Sequence, residues 1–300
     1  MFFKKADFEF PMLDAAMKKK YSLPLIFELV VFVLVFCVSQ VLSVIIDDFI
    51  LSPLLGVNSS PLSPLDLYTT AITIAVVISY CLLFEGRSLL SLGFVKRRAV
   101  LDYIIGFGIG LFMFAAVMLV CLLFGGIRLK SAPELTTVIP TLTLFLGGFI
   151  VQGFAEEVLC RSYLLNSLYP RAGAPCAVGL SAVAFSLLHI GNAGITPIAL
   201  INVALFGIFA GIYFLRRQSI WGIAALHSAW NFAEGNIFGV PVSGVLPKAS
   251  VFVATADEST YWLSGGSFGA EGGLAVTFVL ALAMVAAYFL PHRNNKKPSA

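Results

Sequence analysis

Three hundred residues that are 59% hydrophobic and only 12% charged, with a mean hydropathy of +0.95, exclude an ordinary water-soluble domain. Soluble chains are about 45–50% apolar and about 25% charged. The same composition argues against a DNA-binding domain, a secreted disulfide scaffold and a disordered tail, and a net charge of +3 is too small to imply nucleic acid or any other anionic partner. Cys37, Cys81, Cys121, Cys160 and Cys176 lie in or beside apolar runs without the paired spacing of a zinc or redox motif, so buried reduced thiols are expected.

The predicted fold is all-α: a polytopic transmembrane helical bundle forming one integral membrane domain over 1–300. Residues 1–20 are charged and do not read as a cleavable signal. About eight spans follow, near 21–46, 67–84, 101–124, 139–168, 173–191, 195–215, 219–237 and 272–290. Each is long enough to cross ~30 Å of hydrocarbon at about 1.5 Å per residue. The fourth is longer than a straight crossing needs, so it must tilt, extend into the interface, or bend near Gly147-Gly148 or Gly153. With a cytoplasmic N-terminus, sixteen of the nineteen Lys and Arg fall inside, and only Arg128, Lys130 and Lys248 fall outside. That split follows the positive-inside rule and places both termini in the cytoplasm. The longest outside segment, 238–271, ends in a Gly-rich run that lacks the Gly-Lys-Ser/Thr of a phosphate loop and is expected to be a structured turn into the last helix.

Ionisable residues inside spans are costly and face the bundle interior. Here they gather in the fourth span (Glu156, Glu157, Arg161), the fifth (His189, four residues after Phe185) and the seventh (His227, four residues before the polar amide Asn231). Glu157 and Arg161 are i,i+4 and can form an ion pair on one face. Glu156 is turned about 100° away, which leaves it free to act as a general base. His227 and Asn231 are also i,i+4 and can aim two donors at one oxyanion. His189 lies roughly 10 Å further toward the outside by the same rise, the weakest geometric link. Glu234 borders this group by spacing or else sits at the rim in water. Asn202 is expected to bond a neighbouring helix, and Glu28 to make a polar contact near the interface.

Glu-Glu-x-x-x-Arg, then Phe-x-x-x-His, then His-x-x-x-Asn, on hydrophobic helices in that order, resembles the CPBP family. These are CAAX-prenyl-protease and bacteriocin-processing intramembrane proteases, also called the Abi family. The resemblance covers about 138–237, the motif-bearing core helices. It implies an endopeptidase in which Glu156 activates a water with help from His189, while His227 and Asn231 hold the oxyanion. Glu157 and Arg161 would form a supporting ion pair, with Phe185 as a wall against His189. The family is commonly labelled a metalloprotease, and Glu156, His189 and His227 could ligate zinc in the His₂Glu style. The chain has no His-Glu-x-x-His pair, so a metal-free glutamate mechanism stands as the other reading. The substrate would be a membrane-associated peptide or protein in the lipid bilayer, with the bacterial plasma membrane as location. The rival readings are a non-catalytic scaffold or self-immunity protein on the same fold, and a proton relay or transporter. The cavity must admit water, which is expected from the cytoplasmic side.

Overall fold

The computed structural model describes residues 11–20, 23–56, 63–131 and 135–291. The terminal charges Lys4, Lys5, His292, Arg293, Lys296 and Lys297 lie outside the described residues. After a short helix α1 (Pro11–Ala16), the described chain is mostly long helices: α2 (Leu25–Leu55), α3 (Pro64–Leu83), α4 (Ala99–Leu123), α5 (Leu135–Glu157), α6 (Asn166–Leu187), α7 (Pro197–Arg217), α8 (Ile220–Phe232) and α9 (Leu274–Phe289). Five helical stretches are long and apolar enough to cross a membrane: α2, α3, α4, α7 and the continuous Val138–Leu187. At 13 and 16 residues, α8 and α9 are shorter. Among the described residues the helices are joined by an antiparallel ribbon of β1 (Arg128–Ser131) and β2 (Phe252–Thr255), with Arg128 opposite Thr255. It ties the segment after α4 to the long 238–271 segment.

Val138–Leu187 holds two of the expected spans. It breaks at Gly173 (φ 71°, ψ 171°), between Pro170 and Pro175, where a positive φ favours glycine and two prolines cannot complete helical hydrogen bonds. Of the three ways for the fourth span to accommodate its length, a bend near Gly147-Gly148 or Gly153 leaves no break in α5, which is one continuous helix through all three. Those glycines serve close approach instead. A Cβ at Gly148 would stand 2.8 Å from Leu67 Cβ, and one at Gly153 would stand 2.7 Å from the Ser228 backbone nitrogen. The irregularity in this stretch lies further on, in a π-helix at Val158–Leu165.

The packing inverts that of a water-soluble protein. On α2 the buried positions are Glu28, Phe32, Val35, Ser39 and Ser43, at helical spacing, while Phe27, Leu34 and Phe49 face outward. A Cβ on Gly106 or Gly110 of α4 would overlap the carbonyl oxygens of Gly222 or Leu226 on α8. This Gly-x-x-x-Gly pair lets the two backbones touch, as small residues do between membrane helices. All five cysteines are free. Cys81, Cys121 and Cys160 are buried, but Cys37 and Cys176 are exposed, contrary to expectation, because they sit on outward helix faces.

Two ends of the bundle are distinct. One gathers Lys19, Glu85, Lys96, Arg97, Arg98, Arg216 and Arg217. Trp221 Nε1 donates to Val95 O there, Arg217 meets Asp102, and Lys20 N–H bonds Glu85 O. The opposite end gathers the ribbon, the 188–196 turn and the 238–273 segment. Helix α7 links them. Its Thr196 cap accepts from Ala199 N–H at one end, and its 21 residues put Arg217 about 30 Å away.

Candidate active site

Three helices bring their polar side chains to one place. The i,i+4 pair at the end of α5 forms as spacing requires: Arg161, in the π-helix Val158–Leu165 that continues α5, donates through Nη1 to Glu157 Oε1 at 3.0 Å, with both side chains fully buried. Arg161 also reaches Gly207 O on α7, and its guanidinium lies 4.6 Å from the Phe185 ring centre. Glu157 Oε1 also accepts a second bond, from His227 Nδ1 at 2.9 Å. The other nitrogen of that ring, Nε2, stands 3.5 Å from Glu156 Oε2. One imidazole thus sits between the two adjacent carboxylates, braced by the rings of Phe206 and Phe185. Phe185 is more than a wall for His189, because it contacts Arg161 and both histidines.

Glu156 is the carboxylate that meets open space. Its side chain is 29% exposed, against none for Glu157. Gln152, one turn earlier on α5, donates to Glu156 Oε1 and accepts from Asn231 Nδ2 at 2.9 Å. Gln152 thus links the α5 carboxylate to the α8 amide. Sequence reading passed over it, although a glutamine one turn before a glutamate in an apolar helix is itself a signal. Asn231 spends one amide hydrogen on Gln152 and keeps the other.

His189 comes from the end of α6. Its Nδ1 lies 2.9 Å from Phe185 O, a group that only accepts, so Nδ1 carries the hydrogen and Nε2 presents a lone pair. Glu156, His189, His227, Asn231 and Gln152 all line a single cavity of about 350 Å³. Its deep walls are Phe149, Val203 and Phe206. Its rim is Asn192, Ala193, Ser243 and Glu271. The rim belongs to the ribbon end of the bundle, opposite Lys96–Arg98 and Arg216–Arg217.

The rim is itself built. Asn192 Nδ2 donates to Ser243 O, and Ser243 Oγ donates to Glu271 Oε2 at 2.7 Å. The Gly-rich run is a structured turn, as expected, with 3-10 turns at Gly266–Phe268 and Ala270–Gly272 leading into α9. Glu234 is fully buried outside the cavity and accepts from Ala270 N–H at 3.1 Å, so it pins this turn to the end of α8. Asn202 donates to Glu271 O and Gly273 O, and accepts from Thr277 Oγ1. These two residues hold the rim without touching the cavity.

Among the described residues no group of three His, Cys, Asp or Glu is gathered closely enough to hold a metal ion. His227 Nδ1 meets Glu157 and Glu156 Oε1 meets Gln152, which leaves His227 Nε2, His189 Nε2 and Glu156 Oε2 as the atoms that would face one.

Comparison with curated proteins gives no match. The stretch 138–233, which carries every one of these side chains from Gln152 to Asn231, matches the family model described as Type II CAAX prenyl endopeptidase Rce1-like, the family that the three motifs resemble.

Proposed function

We propose that the chain is an intramembrane endopeptidase that cleaves a membrane-associated peptide or protein with a glutamate-activated water. In this reading the bundle crosses the bilayer about eight times, with both termini cytoplasmic, in a bacterial plasma membrane. The observation that carries it is the convergence of one partly exposed carboxylate, two imidazoles and an amide on a single cavity among apolar helices. Glu156 accepts a proton from a water held between it and the His189 Nε2 lone pair. The water oxygen bonds to the scissile carbonyl carbon, and negative charge moves to the carbonyl oxygen. The free amide hydrogen of Asn231 stabilises that charge, as does Nε2 of His227 when it carries a proton. The proton on Glu156 then passes to the leaving nitrogen as the C–N bond breaks, giving a carboxylic acid, which keeps the water's second hydrogen, and an amine. Glu157 and Arg161 hold His227 in its orientation. No step runs through a metal.

The test compares membrane proteomes of cells carrying the wild type, Glu156→Gln and His227→Ala. The proposal requires both variants to accumulate in the membrane and to lose the same cleavage fragments. A scaffold or immunity protein would tolerate both changes, and a transporter would lose flux with no change in fragments. Activity of the purified enzyme should survive a strong chelator, and its loss would overturn the metal-free step.

A further inference from the structure

We propose that the active site is served from the non-cytoplasmic face, so that its substrate is a polypeptide segment lying outside the cytoplasm beside a membrane anchor, not a cytoplasmic chain end. This rests on the protease reading for the word substrate, but its geometry stands apart from it.

The rim residues Asn192, Ser243 and Glu271 are bonded to one another at the ribbon end of the bundle. The other end carries Lys96, Arg97, Arg98, Arg216 and Arg217, and α7 separates the two ends by about 30 Å, the thickness of the hydrocarbon layer. Basic residues flanking spans are retained in the cytoplasm. Against that basic end, the ribbon end holds only Arg128, Lys130 and Lys248. The cavity mouth therefore opens on the outer side.

Among the described residues, buried and bonded side chains fill the space between the cavity and the basic end. Beneath the cavity floor lie Glu157, Arg161, Ser162 and Tyr163, each with no exposed surface, and then Asn166 and Arg87, at 1% and 3% exposure. Ser162 Oγ closes onto Leu92 O, Asn166 Nδ2 onto Ser91 O, and Arg87 onto Ser162 O and Ser167 Oγ. A substrate from the cytoplasm would have to part this buried network. The mouth also suits an internal segment better than a free chain end. Glu271 and Glu156 line the cavity and no Lys or Arg does, so a terminal carboxylate would meet like charge and no counterion.

The test removes the two exposed thiols with Cys37→Ala and Cys176→Ala, then adds Ala193→Cys at the rim or Lys96→Cys at the basic end. Both sites are exposed. Intact and permeabilised bacterial cells expressing each variant are treated with a membrane-impermeant maleimide. The inference requires full labelling of Ala193→Cys in intact cells, and labelling of Lys96→Cys only after permeabilisation. The reverse pattern overturns it. Labelling after permeabilisation shows that each thiol is reactive. A second readout maps the cut positions of fragments that depend on Glu156. Cuts in outer segments support the inference, and cuts in cytoplasmic segments overturn it. An outer mouth in a protein that cleaves nothing would sink the protease reading and leave the orientation standing.

Discussion

Two buried charge clusters among the described residues are built differently. At the basic end, Lys19 bonds Glu28 and Glu85, and Glu85 also pairs with Arg87, which spreads its other hydrogens over Ser91, Ser162 and Ser167. Glu28, Glu85 and Arg87 are at most 3% exposed, and the cluster stitches the segment before α2 to the turn after α3 and to the start of α6. At the cavity, Arg161 and Glu157 are just as buried, but the chain of bonds runs on through His227 to a carboxylate that is left 29% exposed. Burying charge in a membrane bundle is therefore not a mark of catalysis. What separates the two clusters is a group with spare lone pairs turned toward an open volume.

Substitutions at the two clusters should break in different ways. The largest effect is expected at Glu156→Gln, which keeps the shape and removes the base. Cleavage should fall about 10²–10⁴-fold, the usual worth of a positioned acid–base group, with thermal stability of the purified protein unchanged. If cleavage survived, the distinction between the clusters would fail. Arg161→Met leaves Glu157 buried without its counterion and should cost about 3–5 kcal/mol of stability, read as loss of folded protein from the membrane. Asn231→Ala should lower cleavage about 10²–10³-fold, the usual cost of an oxyanion donor, with little change in substrate affinity. Gly153→Ala tests helix spacing at the site. The added Cβ would press on the Ser228 backbone and move Gln152 and Glu156 away from Asn231 and His227, so cleavage should drop by more than stability does. The smallest effect belongs to the basic end. Lys19→Met should lower stability by about 1–3 kcal/mol, the cost of stranding a buried polar partner, while cleavage per folded molecule stays at the wild-type value.

Much of this was legible in the sequence where the signal is local. Hydropathy and length located the long helices, and i,i+4 spacing identified the Glu157–Arg161 pair, which the structure forms. The resemblance of three short motifs pointed to the stretch that the family model matches. Contacts made across the bundle left no such trace. Gln152 bonds Asn231 from 79 positions away, so no helical period reveals it. Glu28 looked solitary because its partner, Lys19, precedes the helix and meets it only after the chain folds back. Gly147, Gly148 and Gly153 offered a bend as one of three ways to fit a long helix, since a glycine signals flexibility as readily as close approach, and only the neighbouring helix decides which. The end of the bundle at which the cavity opens depends on how the 238–273 segment folds over the helix ends, which no local period records.

The imidazole of His227 lies between two carboxylates that are neighbours in the chain. Replacing Glu157 would not simply delete a prop. It would leave Arg161 a cation in search of an anion, with Glu156 the nearest one on its own helix. The nucleophile's activator would then be neutralised by its former bystander, and an assay would score the loss as a missing catalytic group. In such a tandem, assigning roles by single deletions misleads, and only removing Glu157 and Arg161 together separates support from chemistry.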